Sequence, residues 1–158
     1  MITTATLPSA ECELTLSRIL PARREAVYTA WTRRLPEWWG PHGTTVPDFE
    51  MDLRPGGSFR TVLRAADGTE FTTRGVFLEV VPNERLVFTD AFDPGWLPHP
   101  EIFFTGFVRF EALSGDAARC TVRALHWTAG QRARHERMGF HPSWGESLDR
   151  LAALVAKD

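Results

Sequence analysis

A chain of 158 residues is long enough for one domain that removes about 70% of its unfolded surface from water. Its hydrophobic content of 43% and charged content of 24% are ordinary for a folded protein and exclude an intrinsically disordered chain. The net charge of −2 and the brevity of its arginine runs, Arg23–Arg24 and Arg33–Arg34, exclude the extended basic surface that nucleic-acid binding needs. We therefore expect no nucleic-acid partner.

Membrane and export signals are not recognisable in the sequence. The longest apolar run, Leu151–Ala156, is far shorter than the roughly 20 residues of a membrane-spanning helix. The first residues lack the charged region and apolar segment of an export signal. We expect no membrane insertion and a cytoplasmic location.

The N-terminal third begins with residues 1–10, which show no periodicity and are expected to form a flexible arm ahead of a single domain at residues 11–158. Alternating apolar and polar residues over Cys12–Leu20 predict the first strand. Helical spacing then predicts a short helix over Arg23–Thr32, and Leu35–Trp39 resembles a further helical turn.

Strand follows strand through the middle of the chain, with turn residues between them such as Pro55–Gly57 and Asp67–Gly68. The predicted strands span residues 46–53, 58–64, 70–81, 85–92, 102–113 and 119–127. Short hairpin connections of this kind indicate a mostly antiparallel sheet. Cys12 and Cys120 then lie near the starts of antiparallel neighbours, too far apart for a disulfide, and we interpret them as small buried hydrophobic residues.

The C-terminal segment carries the clearest pattern in the sequence. Residues 129–138 are polar and helix-prone, and Trp144, Leu148, Leu151 and Val155 then recur on one stripe of a helix that starts near Ser143. A single long helix must cover the inner face of the whole sheet, and a sheet of this size cannot pack solidly against it everywhere. The sequence therefore predicts an α+β fold in which a curved sheet of seven strands wraps the C-terminal helix and leaves a cavity between them.

Several motifs in this order resemble a known family. They are Trp38-Trp39-Gly40-Pro41, Asp52–Gly57, Gly75–Glu79, Glu84–Val87 and the terminal Gly139-Phe140…Trp144…Leu148…Leu151. Over residues 12–156 the chain resembles the SRPBCC (START/Bet v-like) superfamily, and more closely its branch named for homology to the activator of the heat-shock protein 90 ATPase. Arg123–Thr128 and Met138–His141 resemble a bacterial polyketide-cyclase-like subgroup. The resemblance implies a helix-grip fold with two short helices between strands 1 and 2, and its members include ligand binders, cyclases, lipid carriers and chaperone regulators.

Aromatic side chains are the main candidates for a ligand-binding site, since the chain holds 11 Phe, 6 Trp and 1 Tyr. Any one of them is more typical of a packed core, but as a set they fit an apolar ligand pocket. The candidates for the pocket wall are Trp38, Trp39, Phe59, Phe88, Phe104, Phe110, Met138 and Trp144.

His126 is the remaining pocket candidate. It shares strand parity with Cys120, Val122 and Ala124, which places it on the inner face of the sheet, whereas Arg123 faces outward. One interpretation is a hydrogen-bonding partner or general base in the pocket. The other, which we favour from sequence alone, is a structural histidine bound to a backbone carbonyl at the rim of the sheet.

Other polar motifs favour structural roles. The spacing of His126, His135, Glu136 and His141 matches no metal motif, so we expect no metal and no cofactor. A carboxylate at Glu79, within a largely apolar strand, would need an arginine partner such as Arg74 or Arg85.

Three functions follow from these patterns. The first is a binding protein for a small apolar, aromatic or lipid-like molecule held between sheet and helix. The second is a polyketide-cyclase- or hydrolase-like enzyme in which His126 transfers protons, although no nucleophile or paired base is identifiable and we assign no catalytic residue. The third, a chaperone ATPase regulator, is not expected, because the named family member carries an additional domain for that partner. The sequence leaves open the ligand, the oligomeric state and whether Trp96 and His99 form a lid.

Overall fold

The structure, a computed structural model, describes residues 10–157. A 3₁₀ turn (Ala10–Cys12) precedes β1 (Glu13–Leu20), α1 (Arg24–Arg33) and a second 3₁₀ turn (Leu35–Glu37). The chain continues through β2 (Thr45–Met51), β3 (Ser58–Arg64), β4 (Glu70–Val81), β5 (Arg85–Thr89), β6 (Phe92–Asp93), β7 (Leu97–Pro98), β8 (Phe104–Leu113) and β9 (Ala117–His126). It ends with α2 (Ala129–Arg137) and α3 (Phe140–Val155). Residues 1–9 of the predicted flexible arm lie outside the described part of the chain.

Seven of these strands form one antiparallel sheet in the order β1-β9-β8-β5-β4-β3-β2. The sheet curls into a half-barrel with α3 on its concave side, which confirms the predicted helix-grip fold. The other two strands, β6 and β7, pair in a separate small hairpin. Within residues 10–157, no helix combines the length and the apolar character needed to cross a bilayer.

The predicted helical stripe lies against the core. Leu148, Leu151 and Val155 have almost no exposed surface, and Trp144, one turn earlier, is half-buried. The helix begins at Phe140, three residues before the predicted start. Gly139 takes a φ of +96°, which favours glycine, and its carbonyl accepts a hydrogen bond of 2.9 Å from the Ser143 N–H to close the first turn.

The strand parity that the sequence indicated for β9 is confirmed. Cys120, Val122, Ala124 and His126 are all buried on the concave face. On the convex face Arg123 binds Glu13 of the neighbouring strand.

The two cysteines are free. Arg18 lies opposite Cys120 in the β1–β9 register, and Cys12 precedes Arg18 by six residues. Six extended residues span about 20 Å, so the two cysteines are too far apart for a disulfide. Burial raises the pKa of the Cys120 thiol to about 12, so the thiol stays protonated at neutral pH.

The end of β5 differs from the predicted one for a local reason. β5 ends at Thr89 rather than Phe92. The backbone N–H of Phe103 donates to the Asp90 carboxylate instead of to a backbone carbonyl, so the β5–β8 pairing does not continue beyond Thr89. Phe92–Asp93 then pairs with Leu97–Pro98 across a turn in which Trp96 has a φ of +59°. Glu79 binds Arg85, one of its two predicted partners, on the convex face.

Candidate functional site

A cavity of about 250 Å³, here called the aromatic cavity, lies between the concave face of the sheet and the helical side of the fold. Helical and loop residues form one wall, and residues of β2, β3, β4, β5 and β8 form the other. The lining residues are Trp31, Leu35, Trp39, Met51, Phe59, Thr61, Thr73, Phe77, Phe88, Phe103, Phe104, His135, Met138 and Trp144. Apart from the indole N–H groups of the tryptophans, the polar side chains among them are Thr61, Thr73 and His135, and no Lys, Arg, Asp or Glu is present.

Three indole rings build the helical wall. Trp144 of α3 stacks on Trp31 of α1 with ring centroids 5.8 Å apart, and Trp39 meets Trp144 edge-on at 4.3 Å. Trp39 is held in place through its own backbone and that of Gly40, whose carbonyls accept hydrogen bonds of 3.3 and 2.9 Å from Arg150. The wall is therefore fixed by α3 itself rather than by a free loop.

Phenylalanine rings cover the sheet wall. Phe59, Phe88 and Phe104 meet edge to face, with centroid distances of 4.9 and 6.1 Å between successive rings. Gly106 lies directly opposite Phe88 in the β5–β8 pair, and a Cβ at Gly106 would come within 2.4 Å of that ring. The absence of a side chain at Gly106 thus lets Phe88 lie over the sheet.

Asp90 positions the rings at the end of the cavity. Its two carboxylate oxygens accept from the backbone N–H of Phe103 at 2.9 and 3.0 Å. Phe103 and the next residue, Phe104, both line the cavity. Burial raises the pKa of the Asp90 carboxyl, and the hydrogen bonds from the backbone of Phe103 and Phe104 oppose that shift.

The mouth of the cavity is apolar. Met138 lines it and is 61% exposed, although it follows a polar helix. Phe71 is 58% exposed and lies two residues from Thr73 on the same face of β4. A smaller recess of about 180 Å³ adjoins the cavity and shares Trp39, His135, Met138 and Trp144 with it. An apolar molecule could therefore enter past Met138.

Two histidines, His126 and His135, contact each other at the cavity wall. Nδ1 of His126 is 2.8 Å from the carbonyl oxygen of Cys12, the kind of backbone contact that we favoured from the sequence. Nε2 of His126 is 2.9 Å from Nδ1 of His135. Burial lowers the pKa of both imidazoles, that of His135 to about 4, and the neighbouring His126 adds to the shift of His135.

The residues selected from the sequence divide into two groups. Trp38, Phe110 and His126 do not line the aromatic cavity. Trp38 is fully buried and donates from Nε1 to the carbonyl of Ala30 at 3.0 Å, and Phe110 packs under Trp31 and Tyr28. His126 is buried behind His135. The six that do line it are Trp39, Phe59, Phe88, Phe104, Met138 and Trp144.

Sequence reasoning missed other lining residues. Thr61 shares strand parity with Phe59, and Trp31 shares a helical stripe with Val27, so both could have been found from periodicity. His135 gave no such signal, because α2 is polar on most of its surface. Trp96 and His99 lie in or beside the β6–β7 hairpin and do not line the cavity; Trp96 packs on Phe92, and His99 lies 3.4 Å from Arg74.

No three His, Cys, Asp or Glu side chains come together in a metal-binding arrangement within residues 10–157.

Comparison with known proteins identifies the family. The model for the family "Activator of Hsp90 ATPase homolog 1-like protein" matches residues 21–156. Protein NE0264 from Nitrosomonas europaea is 35% identical, with a TM-score of 0.89 over 94% of this chain and 97% of that one. The AHSA1 protein from Silicibacter pomeroyi is 27% identical, with a TM-score of 0.68 over 91% of this chain and 97% of the other. Protein CV1439 from Chromobacterium violaceum is also 27% identical, with a TM-score of 0.72 over 92% and 99%.

None of the curated proteins matches the chain. The family model covers six of the seven sheet strands, all but β1, and both walls of the aromatic cavity. This chain belongs to the family of Activator of Hsp90 ATPase homolog 1-like proteins, within the SRPBCC superfamily that its motifs resemble.

Proposed function

We propose that the protein binds a small, neutral, mainly aromatic molecule in the aromatic cavity. The observation that carries the proposal is the cavity itself: about 250 Å³ of space between sheet and helix, walled by aromatic rings. Ligand sites in proteins are typically concave, mostly apolar and supplied with a few polar groups, as this one is.

The volume limits the size of the ligand. An apolar cavity of about 150 Å³ is enough for benzene, and pockets for larger drug-like molecules start at about 300 Å³. A space of about 250 Å³ therefore suits a molecule of one or two fused rings. A long acyl chain or a polyketide of several rings would require the walls to move apart.

The lining chemistry limits the charge of the ligand. No Lys, Arg, Asp or Glu is among the lining residues, so an ionised ligand would leave water without a counter-charge. Burial of an unpaired charge costs several kcal/mol, which would offset most of what a small ligand gains from apolar contact. The preferred ligand is therefore uncharged.

The expected affinity is modest. A two-ring compound has 10 to 12 non-hydrogen atoms, and at roughly 0.5 kcal/mol per atom its binding free energy is about 5 to 6 kcal/mol. This corresponds to a dissociation constant near 100 μM, on the order of what NMR titration measures well. A natural ligand with a better fit would bind more tightly.

The test is a titration of ¹H–¹⁵N NMR spectra with 2-methylnaphthalene, followed by the same titration of the Thr61→Phe variant. Thr61 is half-buried on the cavity wall, so a phenylalanine there fills the space, and we expect at least tenfold weaker binding. Thr72→Phe is the matched control, because Thr72 is exposed and does not line the cavity. Absence of binding to the unmodified protein, or equal binding by Thr61→Phe, contradicts the proposal.

A further inference from the structure

The hydrogen bonds of the two histidines determine which ring nitrogens carry protons. A backbone carbonyl can only accept, so Nδ1 of His126, 2.8 Å from the Cys12 oxygen, must be protonated. A neutral His126 then has a lone pair on Nε2. That lone pair faces Nδ1 of His135 at 2.9 Å, so His135 must donate from Nδ1.

The chain of bonds ends at the cavity. With its proton on Nδ1, neutral His135 carries a lone pair on Nε2, and the structure gives that nitrogen no hydrogen-bond partner among residues 10–157. The His135 ring is held by Phe103, Phe104 and Phe140, whose centroids lie 4.8 to 5.1 Å away. His135 is thus a fixed acceptor on a wall whose other polar side-chain groups are two threonine hydroxyls and the indole N–H donors of the tryptophans.

Neighbouring groups do not reverse this assignment. The nearby cations Arg132 and Arg134 are committed elsewhere: Arg132 pairs with Glu136 at 3.5 Å, and Arg134 lies over the Phe103 ring at 5.4 Å. Burial is the largest influence on the pKa of His126 and disfavours its charged form, and the charge of Arg132 acts in the same direction. The Cys12 carbonyl and the Asp90 carboxylate act in the opposite direction, but the pKa of His126 stays lowered. The pair therefore stays neutral at neutral pH.

We infer that the aromatic cavity selects compounds with a phenol-type hydroxyl, whose O–H donates a hydrogen bond to Nε2 of His135. The inference rests on the ligand-binding function proposed above and names the ligand class. A carboxylate in the same position would present a lone pair and a negative charge to the lone pair of His135, so aromatic acids are rejected. Ethers and other acceptor-only compounds gain nothing from this nitrogen.

The test compares 2-naphthol with 2-methylnaphthalene, which has nearly the same shape but no hydrogen-bond donor. Each is titrated by NMR into the unmodified protein and into His135→Phe, which keeps a ring on the cavity wall but removes the acceptor. We expect His135→Phe to weaken binding of 2-naphthol roughly 3- to 10-fold and to change binding of 2-methylnaphthalene less than about twofold. His141→Phe is the matched control, since His141 is exposed on α3 and does not line the cavity.

The outcomes separate the two proposals. If neither compound binds the unmodified protein, the proposed function fails. If both compounds bind and His135→Phe affects them equally, the function stands and the assignment of His135 is wrong.

A second measurement reads the protons directly. Long-range ¹H–¹⁵N correlation spectra at pH 7 should show both His126 and His135 neutral and protonated on Nδ1, the less common form of a free imidazole. A proton on Nε2 of His135 overturns the inference, whatever the stability of any variant.

Discussion

The two ends of the interface between α3 and the sheet differ in how completely they are filled. At the C-terminal end, Leu148, Leu151 and Val155 meet the sheet with almost no exposed surface. At the N-terminal end, the first turns carry Trp144 beside the aromatic cavity, and Met138 just before the helix is largely exposed. The same helix thus stabilises the fold with one half and borders the aromatic cavity with the other.

Side-chain shape accounts for the difference. Branched aliphatic side chains can interdigitate with the inner face of the sheet, whereas the three large indoles pack mainly on one another and leave the aromatic cavity between themselves and the strands. Stability and binding should therefore respond separately to substitutions at the two ends. The following measurements test that separation.

The largest effect on stability is expected from Leu151→Ala. The side chain is fully buried, so its loss leaves an apolar void and should lower the free energy of unfolding by about 3 kcal/mol. Met138→Ala, at the open end, should cost less than about 1 kcal/mol because Met138 is largely exposed. Urea denaturation measures both; similar costs would show that the two ends are not energetically distinct.

A smaller stability effect, joined to a loss of binding, is expected from Gly106→Ala. The new methyl group collides with the Phe88 ring and pushes it into the aromatic cavity, at a cost of about 1 to 3 kcal/mol. We expect at least tenfold weaker binding of 2-methylnaphthalene by NMR titration. Gly130→Ala is the control, because a Cβ there meets nothing closer than Thr128 at 3.8 Å. Unchanged affinity in Gly106→Ala would show that the position of Phe88 does not affect binding.

A smaller loss of stability is expected on acidification. Because the folded-state pKa of His135 is about 4 against an ordinary 6.5, the unfolded chain binds more protons between these values. The free energy of unfolding should therefore fall as the pH falls from 6.5 towards 4, and the depressed pKa of His126 acts in the same direction. His135 is half-buried, so solvent screening limits its share to on the order of 1 to 2 kcal/mol.

Urea denaturation at several pH values between 7.5 and 4.5 gives this slope. His135→Phe should flatten it, whereas His141→Phe should leave it unchanged. A slope that is the same in all three proteins would mean that His135 is not protonated on unfolding in this range.

The smallest effect is expected on the convex face, outside the interface. Glu79 and Arg85 form an ion pair whose side chains are each about half exposed, so Glu79→Gln should change the free energy of unfolding by less than about 1 kcal/mol. A double-mutant cycle with Arg85→Gln isolates the pair. A coupling of several kcal/mol would contradict the solvent-screened role of this pair.

The sequence predicted the fold more completely than the site. Periodicity is a local property, so the stripe of α3 and the inward parity of Cys120–His126 could be predicted without knowing how the sheet curves. Which inner-face side chain meets empty space depends on that curvature. Phe110 was an equal candidate to Phe104, but α1 lays Trp31 over Phe110 and leaves Phe104 uncovered.

His135 shows the same limit from another side. Its helix is polar, so periodicity does not mark the residue as buried. His135 reaches the cavity wall because α2 packs across the end of β9, where the His135 ring contacts His126. A contact between two histidines nine positions apart, one on a strand and one on a helix, has no periodic signature. The tautomer of each ring is likewise a property of the assembled chain and not of either segment.

The missing side chain at Gly106 has a consequence for how such proteins diversify. The position of the Phe88 ring helps to set the width of the cavity. A single substitution at Gly106, in the adjacent strand, should therefore change that width without changing the order of the strands. We therefore expect the residue that a relative carries at the position of Gly106 to set the width of its cavity.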